Sequence, residues 1–270
     1  MRLKIYLSAF GDFAGSDRIL RLDKNRGDVL NPVIIIPAFQ PDKNMLKLIG
    51  KLLEDPCCRV VVVDDGSGPP YREYFDALEI FDRVDILCHE FNRGKGAALK
   101  TAFKHVIRRY PGTSVVTADA DGQHLPEDIK KVYAAIQENP EQLVLGCRTI
   151  RNGKMPLKKR LGNMLAIMIL KIFTCVLLKD TQTGLRGIPG KWLDELVTIK
   201  PNGFDYELEV LLTCIANKRY PILEVPINAI YDRGSSNSHF RSFHDSWKIA
   251  EVFFKRKYHI KKSSADSSAA

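Results

Sequence analysis

The stretch from residue 33 to residue 67 reads VIIIPAFQPDKNMLKLIGKLLEDPCCRVVVVDDGS. It contains two β-branched apolar runs, at 33–36 and 60–63, which are typical of strands buried on both faces of a parallel sheet. Between them, apolar residues from Met45 to Leu53 recur at helical spacing. The stretch therefore predicts a βαβ unit.

The same alternation continues beyond this unit. Apolar runs at 84–87, 114–117 and 143–146 predict further strands, and the segments 95–109 and 126–138 predict helices between them. Unbroken alternation of strand and helix indicates an α/β fold, namely a Rossmann-like, doubly wound and mostly parallel sheet flanked by helices. The pattern covers residues 31 to about 150.

Composition and charge narrow the function classes. The 270 residues are 45% hydrophobic and 27% charged, which excludes a wholly disordered or collagen-like chain. The net charge of +9 favours an anionic partner, such as nucleic acid, phospholipid or a phosphorylated metabolite. Basic residues are not interleaved with aromatic residues and no helix-turn-helix or RNA-binding signature occurs, so we expect no nucleic-acid partner.

The termini and cysteines suggest a cytoplasmic protein. The six cysteines form no CxxC pair, which favours reduced and mostly buried thiols. The apolar stretch 164–178 is interrupted by Lys171 and is shorter than the roughly 20 residues of a spanning helix, so we expect no membrane anchor within this chain. We divide the chain into an extension at 1–30, an α/β domain at 31–250 and a basic, disordered tail at 251–270.

Polar residues follow several of the predicted strands, where ligands bind in doubly wound sheets. In the segment TADADGQH, strand-like alternation would send Asp119 and Asp121 to one side, and Gln123 would add an amide oxygen. These hard oxygen ligands predict a site for Mg²⁺ or Mn²⁺ that grips a diphosphate. A solvated loop is the alternative for this motif.

The segment Asn92 to Gly96, NRGKG, opens a predicted helix and offers Lys95 to a phosphate group. It lacks the spacing of a P-loop, and no G-x-G-x-x-G follows the first strand. P-loop hydrolysis and dinucleotide redox chemistry are therefore disfavoured.

Seven segments in order, PAFQP, VVVDDGS, NRGKGAAL, DADGQH, GCR, DTQTGLRG and FDYELEVL, resemble the inverting family 2 glycosyltransferases of the GT-A fold. The resemblance spans residues 33 to about 240. It is strongest to the polyprenyl-phosphate sugar transferases, and DTQTG with FDYELE is similar to the dolichyl-phosphate glucosyltransferase branch. It implies a nucleotide-sugar donor, more specifically a UDP-sugar, a divalent metal at the D-x-D, and inversion by an attacking lipid phosphate.

The resemblance also implies roles for individual residues. The donor nucleotide would contact Pro37, Ala38, Phe39, Asp64, Asp65, Lys95, Asp119 and Ala120. Arg148, Arg160 and Arg233 would grip acceptor or donor phosphates. From the residues themselves, we expect Asp180 and Gln182, in a polar loop, to recognise donor sugar or acceptor, with a plain connecting turn as the alternative. Arg233 with Ser235 and Ser236 is expected to clamp a diphosphate. Asp121 and Asp205 are the catalytic candidates, whereas Glu207 and Glu209 are expected to be solvated or supporting groups. One departure is Gln40-Pro41, where the family often has an acidic residue, and it leaves the base contacts open.

Two acceptors remain open. A phosphate monoester is already ionised and needs only positioning, whereas a sugar hydroxyl needs a general base, for which Asp205 is the candidate. The basic segment KMPLKKR at 154–160, followed by the apolar stretch 164–178, suits a lipid phosphate at the inner face of a membrane. A buried core helix with a solvated basic flank is the alternative. A recruiting membrane protein or a homodimer is left open.

Overall fold

The computed structural model describes residues 31–148, 167–168, 171, 176–216 and 221–228. The expected extension at 1–30 and basic tail at 251–270 lie outside these residues. The strands are β1 Val33–Ala38, β2 Arg59–Asp64, β3 Val84–Cys88, β4 Val115–Thr117, β5 Leu143–Arg148, β6 Arg186–Ile188 and β7 Ile222–Ile227. The α-helices are α1 Lys43–Leu52, α2 Arg72–Asp76, α3 Lys95–Arg109, α4 Pro126–Glu138, α5 Leu193–Leu196 and α6 Asp205–Ala216.

The strands form one sheet in the order β3-β2-β1-β4-β6-β5-β7. Strand β1 pairs in parallel with β2 and with β4, and β5 pairs in parallel with β7. Strand β6 is antiparallel to both of its neighbours, β4 and β5. The predicted α/β architecture is confirmed, and the sequence did not predict β6 or β7.

The core lies on both faces of the sheet because successive residues of a strand point to opposite sides. Val33 and Ile35 of β1 pack with residues of α3, α5 and α6, whereas Ile34 and Ile36 pack with residues of α1, α2 and α4. The two buried runs recognised in the sequence therefore contribute to the core on both faces of the sheet.

The structure also bears on the thiol and membrane predictions. Of the cysteines in the described ranges, Cys58, Cys147 and Cys214 are buried and Cys57 and Cys88 are exposed, and all five are free thiols. In the part of the chain that the structure describes, none of the helices has the length and apolar character needed to cross a bilayer.

Candidate active site

The antiparallel direction of β6 brings distant segments to one edge of the sheet. Strands β4 and β5 end at this edge, and because β6 runs the other way, the residues that precede it lie there too. The segment 180–185 therefore lies beside the ends of β4 and β5, at Thr117 and Arg148. The Thr117 hydroxyl donates a 2.8 Å hydrogen bond to the carbonyl oxygen of Gly184 across this junction.

Asp65, directly after β2, is buried with its carboxylate turned toward the protein. Its Oδ1 accepts from the backbone N–H of Arg93 at 3.0 Å, and its Oδ2 accepts from that of Gly94 at 2.8 Å. Its Oδ1 also lies 2.7 Å from His89 Nδ1. Asp65 was expected to line the nucleoside pocket. That contact stays a prediction; within the protein, Asp65 holds the loop that opens α3, because a buried carboxylate needs donors around it.

The other residues expected at the nucleoside pocket lie along the same rim. Asp64 Oδ1 accepts a 2.8 Å hydrogen bond from the backbone N–H of Ser67, and the Ser67 hydroxyl accepts one of 2.9 Å from the N–H of Gln40. These bonds tie the turn after β1 to the turn after β2. Ala38 is buried at the end of β1, whereas the neighbouring Pro37 and Phe39 are half-buried.

Lys95, the first residue of α3, joins three segments of the chain. Its Nζ lies 2.7 Å from Asp119 Oδ1 and 2.7 Å from Glu207 Oε2. The approach is close because α3 packs directly on α6: a Cβ on Gly96 would lie 2.4 Å from Cβ of Tyr206. Burial opposes the charge of Lys95, but the two carboxylates prevail and raise its pKa above the ordinary value. Lys95 thus neutralises protein carboxylates in this structure.

Asp119 is held on several sides. His124 Nε2 lies 3.2 Å from its Oδ2, and a Cβ on Gly184 would come within 2.4 Å of that same oxygen. Only glycine at position 184 leaves room for this carboxylate. Burial favours the neutral acid, yet Lys95 and His124 hold the pKa of Asp119 well below its usual range. Asp119 is therefore an ionised, tightly positioned carboxylate.

Asp121 lies in a turn rather than on a strand. Strand β4 ends at Thr117, and the chain turns through Gly122, whose φ is +74°. Strand alternation is therefore not what positions Asp119 and Asp121, although the two carboxylates are close enough for Asp119 to raise the pKa of Asp121. The two oxygens of Asp121 accept from the backbone and side-chain amides of Gln123, at 3.0 and 2.6 Å. The side-chain amide nitrogen of Gln123 donates to Asp121, and the contribution of its amide oxygen to a metal site stays a prediction.

The chemistry of this pair fits a divalent cation. Displacement of water by protein atoms and repulsion by Asp119 raise the pKa of Asp121, and a cation between the two would relieve that repulsion. Among the described residues, no three His, Cys, Asp or Glu side chains form a complete metal site. Mg²⁺ is commonly held by one or two carboxylates, together with substrate phosphates and water. Asp119 and Asp121 would supply the two carboxylates.

Arg148 and Asp180 form a two-pronged ion pair at the end of β5. Arg148 Nε lies 2.5 Å from Asp180 Oδ2, and Nη2 lies 2.8 Å from Oδ1. Asp180 is only 1% exposed and also accepts from the backbone N–H of Gln182. Both residues were expected to recognise phosphate or acceptor, and that role stays a prediction; within the protein, each holds the other. Asp180 therefore anchors the polar loop before β6.

The structure distinguishes the two carboxylates at the start of α6. The family resemblance implied Asp205 as a catalytic candidate and Glu207 as a solvated or supporting group. Glu207 faces Lys95, whereas Asp205 Oδ1 lies near Gly203 and its charge acts on Lys100. Glu207 was expected to be either a solvated or a supporting group. Its contact with Lys95 excludes the solvated role. The sequence offered no signal for His89. At the start of α6, helical spacing alone could not decide between Asp205 and Glu207.

Several predicted residues fall outside the described ranges: Arg160, Arg233, Ser235 and Ser236.

Comparison with known proteins identifies the family of the chain. Residues 33–195 match the family described as Glycosyl transferase family 2. The chain belongs to this family. As a family 2 glycosyltransferase it is 31% identical over 217 residues to the UDP-N-acetylglucosamine–dolichyl-phosphate N-acetylglucosaminyltransferase of Methanococcus voltae, covering 73% of this chain and 85% of that protein. It is 27% identical to the polyprenol monophosphomannose synthase of Mycolicibacterium smegmatis, covering 72% and 76%.

Solved structures support the fold of this glycosyltransferase. Glucosyl-3-phosphoglycerate synthase from Mycobacterium tuberculosis, crystallised with Mn²⁺, UDP-glucose and phosphoglyceric acid, superimposes with a TM-score of 0.60. The match covers 83% of this chain and 79% of that one, at 16% identity. The predicted GT-A fold and the predicted glycosyltransferase class are both confirmed.

Proposed function

We propose that this family 2 glycosyltransferase transfers a hexose from a UDP-sugar to a polyprenyl phosphate, with inversion at the anomeric carbon. The relative from Methanococcus voltae is named for a UDP-sugar donor and a dolichyl-phosphate acceptor, and that from Mycolicibacterium smegmatis for a polyprenol product. Both names support a lipid phosphate as acceptor.

The pairing of the site carboxylates with Lys95 is the observation that favours a phosphate acceptor. Asp119 and Glu207 share this one ammonium group, and Asp205 is turned toward Gly203 and Lys100. A carboxylate held by a cation is a weak base, so this arrangement is poorly suited to deprotonating a sugar hydroxyl. A phosphate monoester is already ionised and needs only to be positioned. The site therefore favours phosphate over a saccharide hydroxyl.

The described residues divide the work of this reaction. Asp119 and Asp121 would hold Mg²⁺ or Mn²⁺, which stabilises the negative charge on the departing nucleoside diphosphate. Lys95 and His124 keep Asp119 ionised and oriented toward that site. An oxygen of the lipid phosphate attacks the anomeric carbon as the bond to the nucleoside diphosphate breaks. No proton needs to be removed from the acceptor.

We place the reaction at the cytoplasmic face of a membrane. Met168 and Leu177, in the predicted apolar stretch, are 53% and 65% exposed, whereas Leu178 is buried. Exposed apolar side chains near a basic segment are typical of proteins that lie on anionic membrane surfaces. The segment 154–160 supplies the basic residues in the sequence.

An acceptor competition tests this function. The purified protein is incubated with radiolabelled UDP-glucose or UDP-N-acetylglucosamine and Mn²⁺, and with either undecaprenyl phosphate or soluble saccharides. We expect label in the lipid fraction, and we expect Asp205→Asn to retain most of that activity. Transfer to saccharides only, with loss of activity in Asp205→Asn, would instead establish the hydroxyl acceptor.

A further inference from the structure

Three residues with a buried, unpartnered polar atom lie at or beside the contacts of Lys95 and Asp119. Among the described residues, four buried side-chain atoms lack a hydrogen-bond partner: His124 Nδ1, Tyr133 Oη, Gln182 Nε2 and Glu207 Oε1. His124 contacts Asp119, Glu207 contacts Lys95, and Gln182 lies two residues before the glycine that abuts Asp119. Because an unsatisfied buried polar atom is costly, such a concentration indicates that a ligand completes these bonds.

Glu207 is the most tightly fixed of these residues. Its Oε2 is held by Lys95 at 2.7 Å, and its backbone carbonyl accepts a 2.6 Å hydrogen bond from Nη1 of the buried Arg186. Contacts at both ends of the residue fix the direction of the carboxylate. Oε1 is therefore presented in one orientation rather than free to turn toward solvent.

The charge around Glu207 selects the kind of ligand. Lys95 carries one positive charge and is shared by Asp119 and Glu207, and Asp121 adds a further carboxylate nearby. An ionised carboxylate oxygen carries negative charge of its own, which repels a phosphate at Oε1 whether or not a metal neutralises Asp119 and Asp121. An ionised carboxylate only accepts hydrogen bonds, so the missing partner must be a donor. Sugar hydroxyls are neutral donors of this kind.

The position of Glu207 relative to the metal candidates points to the sugar of the donor. Asp119 Oδ1 and Glu207 Oε2 both lie 2.7 Å from one nitrogen atom, so the two carboxylates are close neighbours. A diphosphate held at Asp119 and Asp121 would bring its attached sugar into this neighbourhood.

We propose that Glu207 recognises the donor sugar: its buried Oε1 accepts a hydrogen bond from one hydroxyl group of the transferred hexose. This assignment rests on the proposed function. Lys95 acts as a positioning residue that orients the carboxylate. A charged hydrogen-bond acceptor discriminates strongly between sugars. A sugar that lacks the donating hydroxyl group leaves the carboxylate oxygen buried and unpaired.

The first test uses the unmodified protein. Binding of UDP-glucose, UDP-N-acetylglucosamine and GDP-mannose is measured by calorimetry with Mn²⁺, and the tightest of the three is compared with its monodeoxy analogues and with its nucleoside diphosphate. We expect one deoxy analogue to bind about 10- to 100-fold more weakly than its parent. Equal binding of all the analogues, within about threefold, would overturn the assignment.

The second test couples that hydroxyl to Glu207. In Glu207→Gln, a neutral amide replaces the carboxylate, and we expect the penalty for the sensitive deoxy analogue to shrink to about fivefold or less. Asp205→Asn and the exposed Glu138→Gln serve as controls and should keep the full penalty. An undiminished penalty in Glu207→Gln would contradict the assignment alone, whereas failure of all three nucleotide sugars to bind would contradict the proposed function as well.

Discussion

Oδ1 of Asp65 lies 2.7 Å from Nδ1 of His89, and both side chains are almost fully buried. The opposite ring nitrogen, Nε2, lies 2.9 Å from the hydroxyl of Thr101 on α3. The imidazole thus links the end of β2 to the helix that carries Lys95. Because Asp65 in turn accepts from the N–H groups of Arg93 and Gly94, His89 orients the acceptor that organises this loop.

We predict that His89→Leu lowers the free energy of unfolding by about 2–3 kcal/mol, because it leaves a buried carboxylate without one of its partners. Urea denaturation measures this change. Faster hydrogen exchange at the amides of Arg93 and Gly94 should accompany it. Asp76→Ala, at an exposed pair with Arg72, is the control and should change stability by no more than about 0.5 kcal/mol. Unchanged exchange at both amides would contradict the role of His89.

Asp121→Ala should abolish turnover without unfolding the protein. Asp121 is exposed and contacts only Gln123 among the hydrogen bonds described above, so its loss costs the fold little. Electron paramagnetic resonance of Mn²⁺ in the presence of UDP should show much weaker ion binding, and the melting temperature should stay within a few degrees. Wild-type turnover persisting in Asp121→Ala, or in chelator-treated protein, would exclude the proposed metal site.

Gly184→Ala should act through Asp119. The added methyl group would lie 2.4 Å from Asp119 Oδ2 and 2.7 Å from Oδ1, so the carboxylate must leave its present position. A displacement of about 1 Å at a reacting centre costs roughly 100-fold in rate, which is the expected loss in kcat. Mn²⁺ affinity should fall in parallel. Full activity in this variant would show that the carboxylate does not act from the position described.

Breaking the Arg148–Asp180 pair should mainly affect stability. Arg148→Met leaves Asp180 buried without its cation, and such losses cost about 3–5 kcal/mol. The double variant Arg148→Met with Asp180→Leu should recover much of this in denaturant titrations. If the double variant also keeps the KM for polyprenyl phosphate, then Arg148 does not hold the acceptor phosphate. A rise in KM of tenfold or more would support the role expected from the sequence, in which Arg148 holds the acceptor phosphate.

Alkaline pH should reveal the buried thiol of Cys58. Burial, with a smaller effect of Asp55, raises its pKa from 9.0 to about 12. Above pH 9 the unfolded chain loses this proton while the folded protein retains it, so the contribution of Cys58 to stability is complete below pH 9 and declines toward pH 12. The stability advantage of wild type over Cys58→Ala should therefore be smaller at pH 11 than at pH 8. The exposed Cys57→Ala is the control. A constant advantage across this range would contradict the raised pKa.

Elements with strong local signals were predictable from the sequence. Helix α3 begins at Lys95 after a glycine and α4 begins at Pro126, and both were predicted with their observed bounds. Strand β6 was not, because a three-residue strand containing Gly187 has no periodicity to recognise. The sequence also placed Asp119 and Asp121 at the sheet edge, but their directions depend on a turn that begins after Thr117.

Long-range partners explain the remaining differences. Position along α6 could not decide between Asp205 and Glu207, because the choice depends on where Lys95 of another helix lies. Asp65 appeared in the sequence as a polar residue at a strand end. Its contacts with Arg93 and Gly94 arise only once β2 and α3 are packed together.

The ion pair between Arg148 and Asp180 has a further consequence for how this enzyme can change. Arg148 is the last residue of β5 and Asp180 lies shortly before β6, and the ion pair joins these two points of the chain. Lys95, Asp119 and Glu207 belong to other parts of the chain, so this junction does not include them. A change of sequence between residues 148 and 176 that keeps the ion pair can therefore leave Lys95, Asp119 and Glu207 in place.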